Sequence, residues 1–456
     1  MSHETRPVGR SATFGEVFAS TEYRAVYMAS VFSWVGDFLA KAAVTSLVFA
    51  QTRSVTASAA AFAISFLPWV VGGPVLAALA ERYPHRTVMI FCDISRAGLV
   101  ALIAMPHMPL SVMLVLLFCT ALLTPPFDAA RSALLPRILE GDRYVVAVAV
   151  HNSTSQGAQL VGYVSGSALA AIHPRLALLI DAGTFVLSAC LVGFGVRDHP
   201  PLLTKVERTH LLRETVQGFR VVFGTPVLRA ITVTVLAVHL FTMPPEGLAA
   251  AWAGQLEPNN PHARGLAQAI IMMAGPFGYI VGSLVVSRLV PPDLRRRLIR
   301  PFSILAPLTL VPAVINPPAP VVALLAALCG ACLAGMIPAS NGLYVLALPR
   351  QYRARANGVM QSGLQLVQGG TIMLTGALAA RFHTVPGVVG LWSVGGVLLM
   401  LLVAARWPAP SEFESTIERT QAANAAAEAA EIVAPSDTEP SGGSVTSPGM
   451  RTAESY

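Results

Sequence analysis

Long apolar segments separated by short polar ones recur along almost the whole of this chain, and they restrict its possible folds more than any other feature. A helix needs about 20 mostly apolar residues to cross a bilayer, because lipid offers the backbone no hydrogen-bond partners. Only 12% of the 456 residues are charged, against about 25% in a typical soluble domain. So few charges cannot cover the surface of a soluble protein of this length. The sequence therefore predicts an integral membrane protein.

Twelve such segments can be marked along the chain, and we number them span one to span twelve. They cover approximately residues 24–50, 57–80, 87–105, 109–127, 144–172, 175–196, 227–252, 265–287, 298–316, 319–348, 356–380 and 384–406. The longest inner connection follows span six, so the spans divide into a bundle of six over residues 24–196 and another over 227–406. We therefore predict an all-α membrane protein built from two six-helix halves.

Basic residues concentrate in alternate connections between the spans. With the N-terminal segment, residues 1–23, in the cytoplasm, the outer loops carry only Arg53, Arg175, Arg264 and Arg381 of the 31 Lys and Arg residues. Lys and Arg favour the cytoplasmic side of a membrane. Both termini are therefore predicted to be cytoplasmic, in a multi-pass protein of the cell inner (plasma) membrane. Because the positive charge is dispersed in short bursts, a nucleic-acid-binding face is not expected.

The two polar segments outside the bundles differ in pattern. The cytoplasmic linker, residues 197–226, contains a stretch at 209–223 with apolar side chains on one side, which predicts an amphipathic helix at the membrane surface. The tail, residues 407–456, is acidic and rich in Ala, Ser, Pro and Gly. That composition predicts a disordered cytoplasmic tail.

The connection between spans two and three carries a recognisable motif. Two six-span halves with a cytoplasmic linker are typical of secondary transporters, and the stretch from Gly73 to Arg86 resembles the loop motif of the major facilitator superfamily. Glu81 and Arg82 stand at its acidic and first basic positions, although Glu81 replaces the more usual Asp. Pro84 stands where that motif usually has a second Gly. The resemblance extends over nearly all of residues 14–406.

Within that superfamily the chain most resembles bacterial exporters related to the enterobactin exporter and the macrolide efflux pumps. The residues that carry this resemblance are Gly36, Asp37, Phe38 and Lys41 in span one, Asp93 and Arg96 in span three, 130–136 after span four, and 245–248 in span seven. The resemblance implies alternating access and proton-coupled efflux of a small amphiphilic molecule, such as a drug, a siderophore or another natural product. It implies protons, the small-molecule substrate and the lipid bilayer as partners of a monomer.

Charges inside the spans are costly, so each is a candidate for function. Asp37 and Lys41 lie four residues apart, on one face of span one. They are either a mutually neutralising pair that holds span one in the bundle or a pair that switches when a proton or the substrate binds. Glu246 follows two prolines in span seven and is either a solvated residue at the outer mouth or the carrier of the coupling proton. Asp181, near the outer end of span six, is expected to be solvated.

A second charged group is predicted at the cytoplasmic end. Asp93 and Arg96 in span three lie near the loop motif and either form a charge relay that locks a cytoplasmic gate or anchor the helix structurally. The predicted members of this gate are Glu81, Arg82, Arg86, Asp93, Arg96 and Arg131.

Uncharged polar and aromatic residues complete the predicted site. Gln156 and Gln159 in span five and Gln365 and its neighbour Gln368 in span eleven are either hydrogen-bond donors in a cavity or packing residues. Trp34, one turn before Asp37, either stacks against the substrate or packs in the core.

The sequence contains no glycine-rich phosphate-binding loop, zinc-ligand set or nucleophile elbow. We therefore predict no enzymatic activity, no cofactor and no metal site. The leading hypothesis is a secondary exporter. Its alternatives are an importer or lipid carrier of the same fold, or a membrane sensor or assembly partner that does not transport.

Overall fold

The computed structural model of this chain describes residues 13–71, 83–198 and 211–433. Within these ranges all of the regular elements are helices. The predicted loop-motif residues Glu81 and Arg82 lie outside the described residues. A short helix, Phe14–Phe18, precedes the first span.

The N-terminal half follows the predicted order of six spans. Its helices are Thr21–Thr52 (span one), Val55–Ala63 with Leu67–Val71 (span two), His85–Ile103 (span three), Leu110–Leu122 with Thr124–Ile138 (span four), Asp142–Ile172 (span five) and Pro174–Gly195 (span six). Span two is described only as far as residue 71.

The C-terminal half repeats this arrangement. Its helices are Pro226–Thr242 with Pro244–Gly247 and Ala249–Leu256 (span seven), Pro261–Leu289 (span eight), Pro292–Leu310 with the 3₁₀ turn Val311–Ile315 (span nine), Ala319–Leu346 (span ten), Arg353–Phe382 (span eleven) and Val385–Ala405 (span twelve).

Eight helices of the described chain are long and apolar enough to cross a membrane by composition alone. They correspond to spans one, four, six, seven, eight, nine, ten and twelve. Spans three, five and eleven are continuous helices of 19, 31 and 30 residues that carry more polar side chains. The predicted all-helical fold of two six-helix halves is confirmed.

Span seven is interrupted where its two adjacent prolines occur. Pro244 has no N–H group to donate to the carbonyl of Leu240, four residues earlier. In lipid that carbonyl must find another donor. It accepts hydrogen bonds from the Thr371 hydroxyl at 2.7 Å and from the Trp392 indole N–H at 2.8 Å. Spans eleven and twelve thus replace the missing bond, and the chain turns to present Glu246.

Spans one and five approach so closely that a side chain at Gly166 has no room. A Cβ atom added at Gly166 would lie 2.4 Å from the carbonyl oxygen of Leu39. Close backbone approach through small residues is a common mode of helix packing in membranes, because lipid supplies no hydrophobic force to press helices together. Gly166 therefore fixes the position of span one in the N-terminal half.

The two ends of the bundle are packed differently. We call the end at which span one begins the basic end, since Arg86, Arg137, Arg295 and Arg353 lie there. At the basic end each half has its own hydrophobic cluster. Towards the opposite end a single cluster joins both halves.

The linker forms a helix, Leu211–Gly224, where the amphipathic stretch was predicted. It lies against the start of span eleven, where the Arg355 guanidinium donates to the Gln217 side-chain oxygen at 2.8 Å. The linker therefore packs on the basic end of the C-terminal half.

The prediction of disorder from residue 407 onwards is wrong for the first part of the tail, because the structure has a helix at Pro410–Val433. Alanine, which is common in this stretch, has the highest helix propensity. The helix is also held by packing: Phe413 stacks on Trp407 with ring centroids 5.5 Å apart. The Thr420 hydroxyl donates to the Ala347 carbonyl at 3.2 Å. Residues 434–456 lie outside the described residues.

The contact at Gly166 predicts that Gly→Ala substitutions at two positions in span five will have different effects on the stability of the protein. Gly166→Ala should lower the stability of the purified protein by about 1–3 kcal/mol, because the new methyl group overpacks the contact with Leu39. Gly157→Ala is the matched control, since a Cβ atom there meets nothing within 4 Å. It should be neutral or stabilising by up to about 1 kcal/mol, the difference in helix propensity. Thermal unfolding in the same detergent measures both, and equal effects would contradict this account of the packing.

Candidate functional site

A cavity of about 870 Å³ lies between the two halves. That volume falls within the range of about 300–1,000 Å³ that is usual for small-molecule sites. Spans one, two and five line it from the N-terminal half, and spans seven to eleven from the other. Its polar and aromatic lining includes Phe38, Lys41, Ser65, Phe66, Trp69, Asn152, Gln156, Gln159, Tyr163, His239, Glu246, Tyr279, Gln365 and Gln368.

The cavity extends from the middle of the bundle towards the basic end. In span five it reaches Asn152, ten residues after the helix begins at Asp142. In span eight it reaches Leu284, five residues before the helix ends at Leu289. On these two helices the cavity lining therefore extends towards the basic end.

Close contacts between the halves shut the opposite end. The Gln268 amide of span eight donates to the Ala42 carbonyl of span one at 2.9 Å, and Gln268 is only 1% exposed. A Cβ atom at Gly254 would lie 2.0 Å from the Phe49 ring. Trp252 in the same segment is fully buried. Small residues and one buried hydrogen bond thus form the closed side of the cavity.

Glu246 is the acceptor of a hydrogen-bond network that crosses between the halves. The Tyr163 hydroxyl donates to its Oε1 at 2.5 Å, and the Gln159 side-chain amide donates at 3.3 Å. Both donors belong to span five, whereas Glu246 belongs to span seven. Hydrogen bonds to a charged acceptor are about twice as strong as neutral ones. Of its two predicted roles, the structure supports a carboxyl group in the cavity rather than a solvated residue at the mouth.

Lys41 faces the same cavity. Its ammonium nitrogen lies 5.0 Å from the centroid of the Phe38 ring and 5.8 Å from that of Phe66, which is the geometry of cation–π contacts. Its charge also attracts the carboxylates of Asp37 and Glu246. Asp37 and Lys41 are therefore not an isolated pair within span one, because Lys41 also interacts with Glu246 of span seven.

Asp37 is paired with Arg96 of span three. The Arg96 guanidinium donates to Asp37, and it also reaches the Ser33 hydroxyl at 3.3 Å and the Asp93 carboxylate at 3.8 Å. The Arg96 side chain is 1% exposed and Asp93 is fully buried, whereas Asp37 retains 25% exposure. The guanidinium also stacks over the Phe185 ring of span six at 4.1 Å. A buried ion pair between spans one and three therefore joins the two helices, while the contact of Arg96 with Asp93 inside span three is kept.

This geometry differs from the predicted cytoplasmic gate. Arg86 pairs with Asp198 at 3.0 Å at the end of span six, far along span three from Arg96. Arg131 pairs with Asp128 at 2.9 Å within span four. The four predicted gate residues that the structure describes, Arg86, Asp93, Arg96 and Arg131, therefore do not form one relay; they separate into three ion-paired groups. Arg96 and Arg131 each have a carboxylate three residues earlier on the same helix, and Arg96 also has Asp37 of span one, so each guanidinium is neutralised by carboxylates close to it.

Trp34 is not part of the cavity lining. It packs between the Arg131 guanidinium, 5.0 Å from its ring, and the ring of His151, 5.5 Å away, which favours the packing alternative over substrate stacking. Gln156, Gln159, Gln365 and Gln368 all line the cavity, and the Gln159 amide donates to Glu246.

Sequence reasoning missed several residues of the site. Tyr163 was not among the predicted site residues, but its hydroxyl donates a hydrogen bond to Glu246. Asp181 was expected to be solvated, but it is 1% exposed. A tyrosine or aspartate in the middle of an apolar span is a signal that could have found both, because its polar group needs a partner there. Phe66 and Trp69 gave no such signal, since aromatic residues are ordinary in spans.

Comparison with known sequences agrees with this architecture. The family model of the Major Facilitator Superfamily matches residues 26–289, which is more than half of the chain. The uncharacterised MFS-type transporter YvqJ of Bacillus subtilis (strain 168) is 24% identical over 265 residues, covering 56% of this chain and 62% of YvqJ. A second one from that strain, YfiS, is 28% identical over 200 residues, covering 43% of this chain and 48% of YfiS. The chain thus aligns with less than two thirds of the length of either relative.

Solved structures share the fold at low sequence identity. A mutant of the nucleoside transporter NupG superimposes with a TM-score of 0.71 at 12% identity, covering 85% of this chain and all of NupG. A D-xylose–proton symporter gives a TM-score of 0.62 at 14% identity, covering 86% of this chain and 98% of the symporter. A bacterial homologue of the lysosomal transporter Spinster, in an inward-facing conformation, also gives 0.62 at 12% identity, covering 88% of this chain and 98% of the homologue. With its two six-helix halves, its central cavity and the family match, the chain belongs to the Major Facilitator Superfamily of membrane transporters.

Proposed function

We propose that this transporter exports a small amphiphilic molecule in exchange for protons, by alternating access. The observation that carries the proposal is the position of Glu246. Its carboxyl group faces the cavity and is held across the two halves by Tyr163 and Gln159. Because Glu246 can bind and release a proton, the strength of this contact between the two halves depends on whether Glu246 is protonated.

The proposed orientation places the basic end in the cytoplasm. Arginines at that end satisfy the preference of Lys and Arg for the cytoplasmic side, and the membrane is then the inner (plasma) membrane, with both termini inside. In that orientation the cavity opens to the cytoplasm and is closed towards the outside. The structure then represents the state in which an exporter takes up its cargo.

Protonation of Glu246 supplies the proposed coupling step. The ionised carboxylate accepts strong hydrogen bonds from Tyr163 and Gln159 and attracts Lys41. A proton removes the charge and weakens all three interactions. The contact between spans five and seven is thereby loosened when a proton arrives and restored when it leaves.

The lining of the cavity supports an amphiphilic cargo. Side-chain amides of Gln156, Gln365 and Gln368 offer both donors and acceptors. The rings of Phe38 and Trp69 offer an apolar surface beside them. Export, rather than import, is supported by the resemblance to bacterial exporters in spans one, three, four and seven.

Replacing Glu246 with Gln should strongly reduce proton-driven transport. In inside-out vesicles with an acidic interior, the full chain should accumulate the fluorescent probe ethidium, and an uncoupler should stop the accumulation. Hydrogen bonds to charged groups contribute about 1.5–3 kcal/mol. Their loss in Glu246→Gln should reduce the initial rate by about tenfold to a hundredfold.

The matched control for this experiment is Glu257→Gln, which makes the same change at the end of span seven, outside the cavity lining. It should transport at the rate of the unmodified chain. Full proton-driven transport by Glu246→Gln would contradict the coupling role of this residue. Ethidium movement in the opposite direction only would identify an importer.

Cysteine labelling tests which side of the membrane the cavity faces. The chain is first freed of its five native cysteines, and Gln368→Cys in the cavity is compared with Gln268→Cys at the closed end. A membrane-impermeant maleimide added to inside-out vesicles should label the Gln368→Cys variant rapidly and the Gln268→Cys variant slowly, because Gln268 is 1% exposed. Faster labelling of the Gln368→Cys variant in right-side-out vesicles would contradict the proposed orientation.

A further inference from the structure

Asp181 in span six is a buried carboxyl group that the transport cycle proposed above does not use. The residue is 1% exposed. Its Oδ1 accepts a hydrogen bond from the Thr184 hydroxyl at 3.3 Å. An ionised carboxylate inside a membrane requires a cationic partner or a reason to be there. Within the described residues, no Lys, Arg or His nitrogen forms an ion pair with Asp181.

Asp181 lies directly against span one, beside Asp37. A Cβ atom added at Gly36 would lie 2.2 Å from Oδ1 of Asp181 and 2.1 Å from the Thr184 hydroxyl. The missing side chain at Gly36 is therefore what allows the carboxyl group of span six to reach the backbone of span one. The residue that follows Gly36 is Asp37, the ion-pair partner of Arg96.

Three carboxyl groups consequently surround a single guanidinium. Arg96 pairs with Asp37, lies 3.8 Å from Asp93, and attracts Asp181 electrostatically. With all three carboxyls ionised, this buried cluster would carry two more negative than positive charges. Asp37 and Asp93 both have an ion-pair contact with Arg96, whereas Asp181 has a hydroxyl as its partner. Of these three, Asp181 alone has no ion-pair contact with Arg96, and it is therefore the carboxyl group to which we assign the proton.

The groups that face Asp181 come from the helices packed against span six. Span one contributes Asp37 and, one turn further, Lys41. Span three contributes Asp93 and Arg96. In span five the titratable His151 lies elsewhere, against the rings of Tyr23, Tyr27 and Trp34.

A small cavity lies beside this cluster and next to the central cavity. It has a volume of about 110 Å³, which is large enough for several water molecules, and its lining includes Asp37, Arg96 and Asp181. Lys41, Ser65 and Trp69 line both this small cavity and the central cavity. Water in the small cavity would contact both Asp37 and Asp181 and could exchange protons with either of them.

We propose that Asp181 is a second proton-binding site, which holds a proton while Arg96 is paired with Asp37. When Asp37, which lines the small cavity and retains 25% exposure, takes up a proton, it becomes neutral and releases the guanidinium. Arg96 then pairs with Asp181, whose proton passes to water in the small cavity. One proton enters and one leaves, so the cluster keeps a constant charge. The role of this exchange in a transport cycle rests on the proposed function. The assignment of a bound proton to Asp181 does not depend on it.

Infrared spectroscopy of the full chain in lipid tests for the proton without any cargo. A protonated carboxyl group has a C=O stretching band that a carboxylate lacks. At neutral pH the unmodified chain should show such a band, and Asp181→Asn should lose it. Asp198→Asn, which removes an exposed carboxyl at the basic end, is the control and should leave the band unchanged.

A second variant keeps the test decisive if Asp181→Asn does not fold. Asp37→Asn leaves Arg96 free to pair with Asp181, so the proton should leave Asp181 and the same band should disappear. A band that persists in both variants, or that is lost in Asp93→Asn but not in Asp181→Asn, would overturn the assignment. Its absence from the unmodified chain would do so too. Failure of the proposed function is a separate outcome, since it is measured as ethidium transport by Glu246→Gln, a variant that leaves this cluster intact.

Discussion

Lipid cannot form hydrogen bonds or solvate charge, and the internal arrangement of this transporter depends on that constraint. Where two prolines open span seven, spans eleven and twelve supply donors to the exposed Leu240 carbonyl. Where span three carries Arg96, span one supplies Asp37. Each polar group thus ties its helix to a particular neighbour. The helices are positioned by a few satisfied polar groups as much as by apolar packing.

The same constraint accounts for where the halves meet. Towards the opposite end the contact is made by small residues and one buried amide, with Gly254 against Phe49 and Gln268 bonded to the Ala42 carbonyl. Such surfaces can separate, because they hold no ion pair that would be left unmatched. Towards the basic end, the amides and charges face the cavity, where water can reach them. A cavity lined by Gln365 and Gln368 is stable only while one side of it is open or while cargo replaces the water.

Hydropathy and charge were enough to predict the helices of this fold, since the length and polarity of each span follow from the bilayer. The partners of the side chains were not predictable in this way. Spacing along one helix predicted an Asp37–Lys41 pair. Asp37 instead forms an ion pair with the guanidinium of Arg96, because the packing of span three against span one brings Arg96 nearer. Tyr163 and Glu246 are 83 residues apart in sequence, and no local pattern connects them. The helix after residue 410 was missed because its composition suggested disorder, whereas its stability depends on the contact between Phe413 and Trp407.

Span one connects the two charged regions of the molecule. Asp37 and Lys41 lie one helical turn apart, yet they take part in different environments: Asp37 in the buried cluster around Arg96, and Lys41 in the central cavity with Glu246. Because a helix is stiff over one turn, a movement of span one that carries Asp37 away from Arg96 also displaces Lys41. The attraction between Lys41 and Glu246 then changes, and with it the balance of the hydrogen bonds that Tyr163 and Gln159 make between the halves. A change of charge in the cluster around Arg96 would in this way alter the interactions of Glu246, through the backbone of span one.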